Sequence, residues 1–305
     1  MLTVTLPSPE MVALFGPVPQ GVNVIAWDVS TDAASPADID AVLVPPYFFA
    51  DGGFARIRAL PNLRLVQLPS AGYEHALPRL TPGVPVANGR GVHDGETAEL
   101  AIGLALASLR GIDDAVRDRT DHAWNPILRP SLADRRVLLI GYGSIGKALA
   151  TRLDTFEVDL TVVARTARTE GDRVVHAFTE LAALAANADL VIAIVPLTDE
   201  TRHLLDAALL AALPDGALVV NVARGGIVDT DALVAELASG RLHAALDVTD
   251  PEPLPTGHPL WSTPNTILTP HVGGYTTATD ARIIALMRRQ VDALLWGNEL
   301  ENVVN

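Results

Sequence analysis

Three side chains suited to anion binding and proton transfer follow successive apolar segments in the second half of the chain. They are Arg224 in NVARGGIVD, Glu252 in ALDVTDPEPLP and His271 in LTPHVGG, with Asp247 five residues before Glu252. Ligands of open α/β sheets bind beyond the carboxyl ends of the strands, where these side chains are expected to lie. A guanidinium suits a carboxylate, and a histidine suits general acid–base catalysis. Each alone could brace a turn or pack in a core, but the combination favours a catalytic cleft.

A glycine pattern upstream of these residues has the spacing of a dinucleotide-binding turn. Gly141, Gly143 and Gly146 form G-x-G-x-x-G between an apolar run and a helical pattern. The first glycine allows a tight turn, the second lets the backbone approach a pyrophosphate, and the third lets helix and strand pack closely. The amides of Ser144 and Ile145 would then meet the phosphates at a helix N-terminus. The alternative is a tight turn that needs glycine only for its backbone. The strand–turn–helix context favours a cofactor.

The second strand of this pattern ends on a cation instead of the usual acid. A carboxylate roughly 20 residues beyond the glycines normally accepts hydrogen bonds from the ribose diol. Here Arg165 stands at that position, followed by Thr166 and Arg168, whereas Glu157 and Asp159 precede the strand. Guanidinium groups bind phosphate with paired donors, and the threonine hydroxyl adds a third donor. The alternative is a solvated charged turn. The arrangement favours NADP(H) over NAD(H).

Composition and charge exclude several classes of partner. The net charge of −14 repels nucleic acid, and Lys147 is the only lysine, so an anionic ligand must be bound largely by local arginines. The chain has no cysteine, which excludes disulfides and thiolate metal sites and suits the cytoplasm. The N-terminus lacks a signal-peptide pattern. The apolar run 100–109 is far shorter than the roughly 20 residues of a membrane span. We expect a cytoplasmic protein with a small-molecule ligand and no membrane partner.

Apolar runs separated by helical patterns predict two α/β domains. Strands that are buried on both faces have continuous apolar sequences, which is typical of parallel sheets. The first part of the chain contains a helix-like stretch at 52–60 and strand-like runs at 2–6, 22–27, 41–45, 63–68 and 84–88. The second part contains helical patterns such as 144–153 and 229–240 and six runs at 136–141, 159–165, 189–196, 217–223, 243–248 and 266–271.

Two further helical patterns set the domain boundaries. The pattern over 95–118 is long enough to connect the two domains, and the pattern over 278–297 follows the last strand without a strand of its own. The last helix is therefore expected to return to the first domain. This organisation predicts a discontinuous substrate domain, residues 1–94 and 277–305, and a continuous dinucleotide-binding domain, residues 95–276.

Taken together, the ordered motifs resemble the D-isomer-specific 2-hydroxyacid dehydrogenase family, in its glyoxylate/hydroxypyruvate reductase-like branch. The resemblance runs over nearly the whole chain and is carried by QLPSAGYEH, GETAELAIGL, GYGSIGKALA, VPLTDETRHLL, NVARGGIVD, ALDVTDPEPLP, HPLW, LTPHVGG and the terminal NVVN. It implies a Rossmann-type cofactor domain inserted in a flavodoxin-like substrate domain, both with doubly wound parallel sheets. It also implies a homodimer through the cofactor domain, and hydride transfer between a nicotinamide and carbon 2 of a 2-oxo or 2-hydroxy acid.

The resemblance assigns a role to each matching residue. Arg224 would bind the substrate carboxylate and polarise the carbonyl, His271 would exchange the proton, and Glu252 would pair with His271 and favour its charged form. The amides of Ala71 and Gly72 would bind the substrate carboxylate from the other domain. Beyond the glycine turn and the arginine segment, the implied cofactor contacts are Val195, Pro196, Thr201, Val222, Ala223, Asp247, His271 and Gly273.

Several aromatic and histidine side chains have more than one possible role. Tyr47 and Phe48, after the third strand, either line the substrate pocket or pack in the core. Trp124 in DHAWNP either packs within its own subunit, which is the commoner situation, or lies in an arm that reaches the cleft of a partner subunit. The remaining histidines lack the spacing of a metal site, so none is expected: they include His75, His93, His122 and His258.

The lead hypothesis is an NADPH-preferring reductase of small 2-oxo acids such as glyoxylate or hydroxypyruvate. Formate-oxidising relatives carry Gln in place of Glu252, and phosphite-oxidising relatives carry Lys in place of Ala71. An NAD-dependent dehydrogenase of the D-3-phosphoglycerate type is less favoured, because Arg165 points away from NAD and no C-terminal regulatory domain follows. The alternative from another class is a catalytically silent, dinucleotide-sensing regulator. The acidic charge and the lack of an appended interaction segment count against it.

Overall fold

Strands and helices alternate along residues 1–46 and 51–305, which the computed structural model describes. In chain order they are β1 (Leu2–Leu6), α1 (Pro9–Phe15), β2 (Val22–Ala26), β3 (Ala41–Leu43), α2 (Asp51–Arg58), β4 (Leu65–Gln67), β5 (Val86–Ala87), α3 (Asp94–Arg110), α4 (Ile112–Thr120), β6 (Arg136–Ile140), α5 (Ser144–Leu153), β7 (Asp159–Ala164), β8 (Arg168–Glu170), β9 (Arg173–Ala177), α6 (Leu181–Ala185), β10 (Leu190–Ala193), α7 (Ala207–Ala212), β11 (Leu218–Asn221), α8 (Thr230–Ala238), β12 (His243–Leu246), β13 (Thr266–Leu268) and α9 (Thr279–Trp296). The chain divides into two units, residues 1–93 with 276–305 and residues 94–275.

The first unit is a parallel sheet with the strand order β2-β1-β3-β4-β5. This is the flavodoxin-like order. All five residues of β1 are buried, as expected for a central strand covered on both faces. Helices α1 and α9 pack on one face, where Phe15 and Met287 are buried, and α2 packs on the other with Phe54. The sequence therefore predicted this unit's strands to within a few residues.

The second unit contains a larger sheet with the order β13-β12-β11-β10-β6-β7-β9-β8. The strands are parallel except β8, which runs antiparallel to β9. The order of the strands from β9 to β12 is that of the doubly wound dinucleotide-binding fold. The chain reverses its direction of winding between β6 and β10. The glycine turn follows β6 and so lies at the point where this fold binds ligands.

Two details of the second unit differ from the sequence prediction. The helix predicted over 95–118 is broken at Gly111, whose φ of 61° places it in the left-handed region. A Cβ at Gly111 would lie 2.6 Å from Nε of Arg129, so glycine also allows that guanidinium to approach. The hairpin of β8 and β9 was not predicted, because the sequence over 168–177 has no continuous apolar run and six of its ten residues are polar or charged. In the part of the chain that the structure describes, no helix is both long and apolar enough to cross a membrane.

Candidate active site

The glycine turn after β6 has room for a phosphate at one of its three glycines. A Cβ at Gly141 would lie 2.3 Å from the Ile194 carbonyl oxygen, and a Cβ at Gly146 would lie 2.1 Å from the Gly141 carbonyl oxygen. Both glycines are therefore required by packing within the chain. A Cβ at Gly143 would meet no atom within 4 Å. The middle glycine thus faces open space, as it must if a pyrophosphate approaches the backbone there.

Helix α5 begins directly after Gly143. The Lys147 amide donates to the Gly143 carbonyl at 2.9 Å, which closes the first turn of the helix. The amides of Ser144 and Ile145 belong to that turn, where N–H groups have no acceptor within the helix and can bind an anion. The Ser144 hydroxyl donates to Asp94 at 3.0 Å. These residues fit the phosphates of a nicotinamide dinucleotide, which would supply the hydride chemistry.

The loops after β10 and β11 carry other residues expected to contact the cofactor. Val195, Val222 and Ala223 are buried at the strand ends, whereas Pro196 is exposed. The Thr201 hydroxyl donates to the Pro196 carbonyl at 2.6 Å and accepts from the Thr198 amide at 2.8 Å. A hydroxyl has one proton, and Thr201 donates it to the loop backbone. In this arrangement the Thr201 side chain stabilises the loop.

The arginine segment lies at the end of β7. Arg165 is exposed and forms an ion pair with Glu200 at 2.8 Å. Thr166 is exposed beside it, and its carbonyl accepts a hydrogen bond from Arg168 at 3.4 Å. Arg168 begins β8 and also donates to the carbonyl oxygen of Tyr142, within the glycine turn, at 3.2 Å. The structure thus brings the arginine segment and the glycine turn together.

Arg224 follows β11 by three residues, and a buried asparagine fixes its backbone. Asn221, which is 1% exposed, donates from Nδ2 to the Arg224 carbonyl at 2.9 Å and accepts from the Ala223 amide at 3.0 Å. The Arg224 guanidinium donates to the Ala223 carbonyl at 2.7 Å. Asn221 was not predicted as a functional residue. A polar residue that ends the apolar strand LVVN was the signal for it.

His271 and Glu252 form a close pair beyond β12 and β13. The Nδ1 atom of His271 lies 2.5 Å from Oε1 of Glu252. Burial raises the pKa of the Glu252 carboxyl, but the hydrogen bond and charge of His271, the Thr249 amide and the charge of Arg224 outweigh it and lower that pKa overall. Glu252 is therefore ionised at neutral pH. The charge of Arg224 has the smallest of these effects, which is consistent with all three predicted residues lying in the same region of the second unit.

Asp247 holds the backbone that carries His271. It is 2% exposed, and its carboxylate accepts hydrogen bonds from the Thr269 hydroxyl at 2.6 Å and from the amides of Val272 at 2.9 Å and Gly273 at 2.8 Å. His271 has a φ of 54°, in the left-handed region, where few residues other than glycine lie. Asp247 and its partners therefore fix an uncommon backbone conformation at His271. Gly273 leaves room for this carboxylate, because its Cβ would lie 3.0 Å from Oδ2.

The predicted substrate-binding turn lies in the first unit. Asn88 donates to the Ala71 carbonyl at 2.8 Å, and the Ser70 hydroxyl donates to the Gly72 carbonyl at 2.8 Å. Within residues 1–46 and 51–305, the amides of Ala71 and Gly72 have no acceptor. The turn is thus held by its carbonyls and leaves two donors for a ligand. Tyr47 and Phe48 lie outside the described residues.

Trp124 does not pack within its own subunit, the alternative that we considered the commoner one. It is 95% exposed and lies in the segment between α4 and β6. As for metal binding, no three His, Asp or Glu side chains of the described ranges come together as ligands would.

Comparison with known proteins identifies the family. Residues 102–273 match the model of the D-isomer specific 2-hydroxyacid dehydrogenase NAD-binding domain. A glyoxylate reductase of Thermofilum pendens is 36% identical over 81% of this chain and 76% of its own. A D-isomer specific 2-hydroxyacid dehydrogenase from Xanthobacter autotrophicus Py2, solved with NADPH and MES, has 30% identity and a TM-score of 0.82 over 100% of this chain and 98% of its own.

A second solved structure has a similar fold. The NADPH-dependent glyoxylate/hydroxypyruvate reductase of Sinorhizobium meliloti, in complex with NADP and sulfate, has 27% identity and a TM-score of 0.84 over 100% of this chain and 98% of its own. The TM-scores agree with the fold, and the residues that match the NAD-binding domain model include the glycine turn. The chain therefore belongs to the D-isomer specific 2-hydroxyacid dehydrogenase family and is an NAD(P)-dependent oxidoreductase.

Proposed function

We propose that the protein is an NADPH-preferring reductase of small 2-oxo acids, with glyoxylate and hydroxypyruvate as substrates. The observation that carries the proposal is the His271–Glu252 pair, whose Nδ1 and Oε1 atoms are 2.5 Å apart. The charge of Arg224 contributes to the lowered pKa of Glu252. An imidazole held by a carboxylate is a proton donor, and a guanidinium binds and polarises a 2-oxo acid. The names of the relatives support this substrate class.

The geometry gives each side chain one task in the reduction. The Nδ1 atom of His271 faces Glu252, which leaves Nε2 to donate a proton to the carbonyl oxygen of the substrate. Arg224 neutralises the substrate carboxylate and stabilises the charge that develops on that oxygen. Glu252 does not touch the substrate in this scheme. It orients the ring and stabilises its charged form before the proton leaves.

The amides of Ala71 and Gly72 bind the substrate carboxylate in this proposal. Two N–H donors without an acceptor among the described residues are suited to a carboxylate. The side chains that line the pocket determine which 2-oxo acid is preferred, and Tyr47 is proposed to be one of them. Relatives named as glyoxylate reductases support a small 2-oxo acid as the substrate.

The preference for NADPH rests on Arg165 and Arg168. Both guanidinium groups lie close to the end of β7, where an NAD-specific protein has a carboxylate. Thr166 lies between them and is exposed. Relatives that were solved with NADPH or NADP support the same cofactor.

The test measures the oxidation of NADPH and of NADH with glyoxylate, hydroxypyruvate, pyruvate and phenylpyruvate. The oxidation is monitored as the loss of reduced-nicotinamide absorbance. We expect turnover with glyoxylate or hydroxypyruvate and a higher kcat/KM for NADPH than for NADH. Faster turnover with NADH would overturn the cofactor preference and leave the reductase. Tight dinucleotide binding without turnover of any acid would overturn the reductase in favour of a regulator.

The enzyme is further proposed to be a cytoplasmic homodimer that associates through the cofactor domain. The second unit exposes apolar side chains along α4 and the segment after it, at fractions between 51% and 98%: Ile112, Val116, Trp124, Ile127 and Leu128. Contiguous exposed apolar side chains are typical of interfaces. A chain without cysteine needs no oxidising compartment. Light scattering should give twice the mass of one chain, and cell fractionation should place the protein with cytoplasmic markers.

A further inference from the structure

The only lysine of the chain lies beside the glycine turn. Lys147 is in the first turns of α5, and its ammonium forms an ion pair with Glu170. The same ammonium lies 5.8 Å from the centre of the Tyr142 ring. The side chain is 47% exposed, so an anion at this edge of the sheet can reach it.

Arg168 shares both partners of Lys147. Its Nε atom donates to Glu170 at 3.3 Å, and its guanidinium carbon lies 5.8 Å from the centre of the Tyr142 ring. Arg168 and Glu170 are two residues apart in β8, so both side chains leave the strand on the same side. One carboxylate therefore holds two cations that come from different elements, α5 and β8. These two cations lie next to the turn that is suited to the cofactor phosphates.

The carboxylate between these cations is ionised. The hydrogen bond from Lys147 lowers the pKa of Glu170, and Arg168 lowers it further, against a smaller opposing effect of burial. Arg165 is held in the same way, by Glu200 at 2.8 Å. Each of the three cations Lys147, Arg165 and Arg168 thus has a carboxylate partner within the chain. A ligand with sufficient negative charge can replace these carboxylates.

We propose that Lys147 is a third cationic ligand of the 2′-phosphate of NADP(H), and that Glu170 is the counterion which it releases when the phosphate binds. The inference rests on the proposed use of NADP(H). A phosphate dianion has more charge and more acceptor oxygens than one carboxylate, so it can displace Glu170. The uncharged ribose diol of NAD(H) cannot. Lys147 therefore favours NADP(H), and Glu170 opposes it.

The single lysine allows a direct test by chemical labelling. An N-hydroxysuccinimide ester of acetic acid can acetylate only Lys147 and the amino group of Met1, and Met1 is the internal reference. The labelling rate at each amine is measured by peptide mass spectrometry, with saturating NADP+, NAD+, 2′,5′-ADP or 5′-AMP. We expect NADP+ and 2′,5′-ADP to slow labelling of Lys147 but not of Met1. NAD+ and 5′-AMP should slow it much less. Equal protection by NADP+ and NAD+ would overturn the proposal.

Binding measurements on two variants test the same assignment without chemical modification. Lys147→Met keeps an unbranched side chain and removes the charge; NADP+ affinity should fall about tenfold, as expected for one charge-assisted hydrogen bond, with NAD+ affinity unchanged. Glu170→Gln should bind NADP+ more tightly and expose Lys147 to faster labelling. The matched control is Arg152→Met, which removes a cation from the same helix. The Arg152 guanidinium donates to the Ala148 carbonyl. That control should leave both affinities unchanged.

The outcomes separate this inference from the proposed cofactor preference. If the unmodified protein binds NADP+ no more tightly than NAD+, the proposed preference is wrong. If it binds NADP+ more tightly but Lys147→Met does not weaken that binding, the preference stands and the role of Lys147 is overturned. If Glu170→Gln weakens NADP+ binding, Glu170 positions the cations and is not a displaceable counterion.

Discussion

The two ends of the cofactor site hold their charged side chains by different means. At the proposed catalytic end, Asn221 and Asp247 are almost completely buried, and their polar atoms form hydrogen bonds with the backbone at or next to Arg224 and His271. At the edge that is proposed to select the cofactor, Arg165 and Arg168 are held by carboxylates, and these side chains are 39–62% exposed. The catalytic end is thus fixed by backbone geometry, and the other by surface ion pairs.

This difference follows from what each end must do. Proton transfer and charge stabilisation require atoms within a few tenths of an ångström of their positions, and buried hydrogen bonds to backbone hold such positions. Exposed ion pairs contribute ~0–1 kcal/mol each, so a bound phosphate can replace them at small cost. We therefore expect substitutions at the catalytic end to reduce turnover strongly. Substitutions at the edge should change the choice of cofactor and leave turnover intact.

The largest effect is expected for His271→Gln. Loss of the proton donor should lower kcat by roughly 10²–10⁴-fold, the usual contribution of a general acid, and change NADPH affinity far less than kcat. The matched control is His176→Gln, because His176 forms a similar pair with Glu180 at 2.9 Å on β9. The control should keep its kcat. A retained kcat in His271→Gln, measured under saturating substrate, would remove the catalytic assignment.

A smaller effect is expected for Asp247→Asn, since the residue positions His271. The amide nitrogen that replaces one oxygen would face a backbone N–H or the Thr269 hydroxyl, and an unsatisfied buried group costs about 1–3 kcal/mol. We expect lower kcat and a lower unfolding temperature, with the pH profile of the remaining activity shifted. Denaturation monitored by circular dichroism, together with steady-state kinetics, measures both. Unchanged stability and unchanged kcat would mean that the loop does not depend on Asp247.

At the edge, Arg165→Met should change affinity and not turnover. Loss of one charge-assisted contact to the 2′-phosphate should raise the Kd for NADPH about tenfold and leave the Kd for NADH unchanged. Glu200→Gln, which removes the ion-pair partner of Arg165, should have a smaller effect of opposite sign. Fluorescence titration of both dinucleotides gives the two constants. Equal loss of NADPH and NADH affinity would show that Arg165 supports the fold of the site and not the phosphate.

The smallest effect concerns pH and Glu252. Its folded pKa is lowered, so its ionisation stabilises the folded protein above the ordinary value of 4.5, and this contribution is lost as pH falls through the lower folded pKa. The side chain is 40% exposed, so the contribution is at most ~1 kcal/mol after solvent screening. As the pH is lowered from neutral to acid, the free energy of unfolding should fall slightly less for Glu252→Gln than for the unmodified protein. A steeper acid loss in the variant, in urea titrations, would contradict the sign.

The sequence predicted the features that depend on local pattern. Buried parallel strands are continuous apolar runs, and the glycines of the turn have a fixed spacing between a strand and a helix, so both the sheets and the turn were predicted. It also predicted that Arg224, Glu252 and His271 follow strands whose carboxyl ends meet at one edge, and the structure places His271 and Glu252 in contact. The break at Gly111 was missed, since its left-handed φ has no effect on the apolar periodicity around it.

Contacts between distant polar residues could not be predicted in the same way. The partners of Arg165 and Lys147 are Glu200 and Glu170, which lie in a loop after β10 and in an unpredicted hairpin. Neither acid has a spacing that distinguishes it from other surface acids. The buried hydrogen bonds of Asp247 also join residues more than 20 positions apart. Only the folded sheet brings these side chains together.

The most direct test of the account is kcat and kcat/KM with NADPH and with NADH, using glyoxylate, for the unmodified protein and the double variant Arg165→Met/Arg168→Met. We predict that the double variant loses its preference for NADPH while kcat at saturating NADH stays unchanged, because the two ends of the site act separately. A retained preference, or a kcat that falls together with the preference, would contradict that separation.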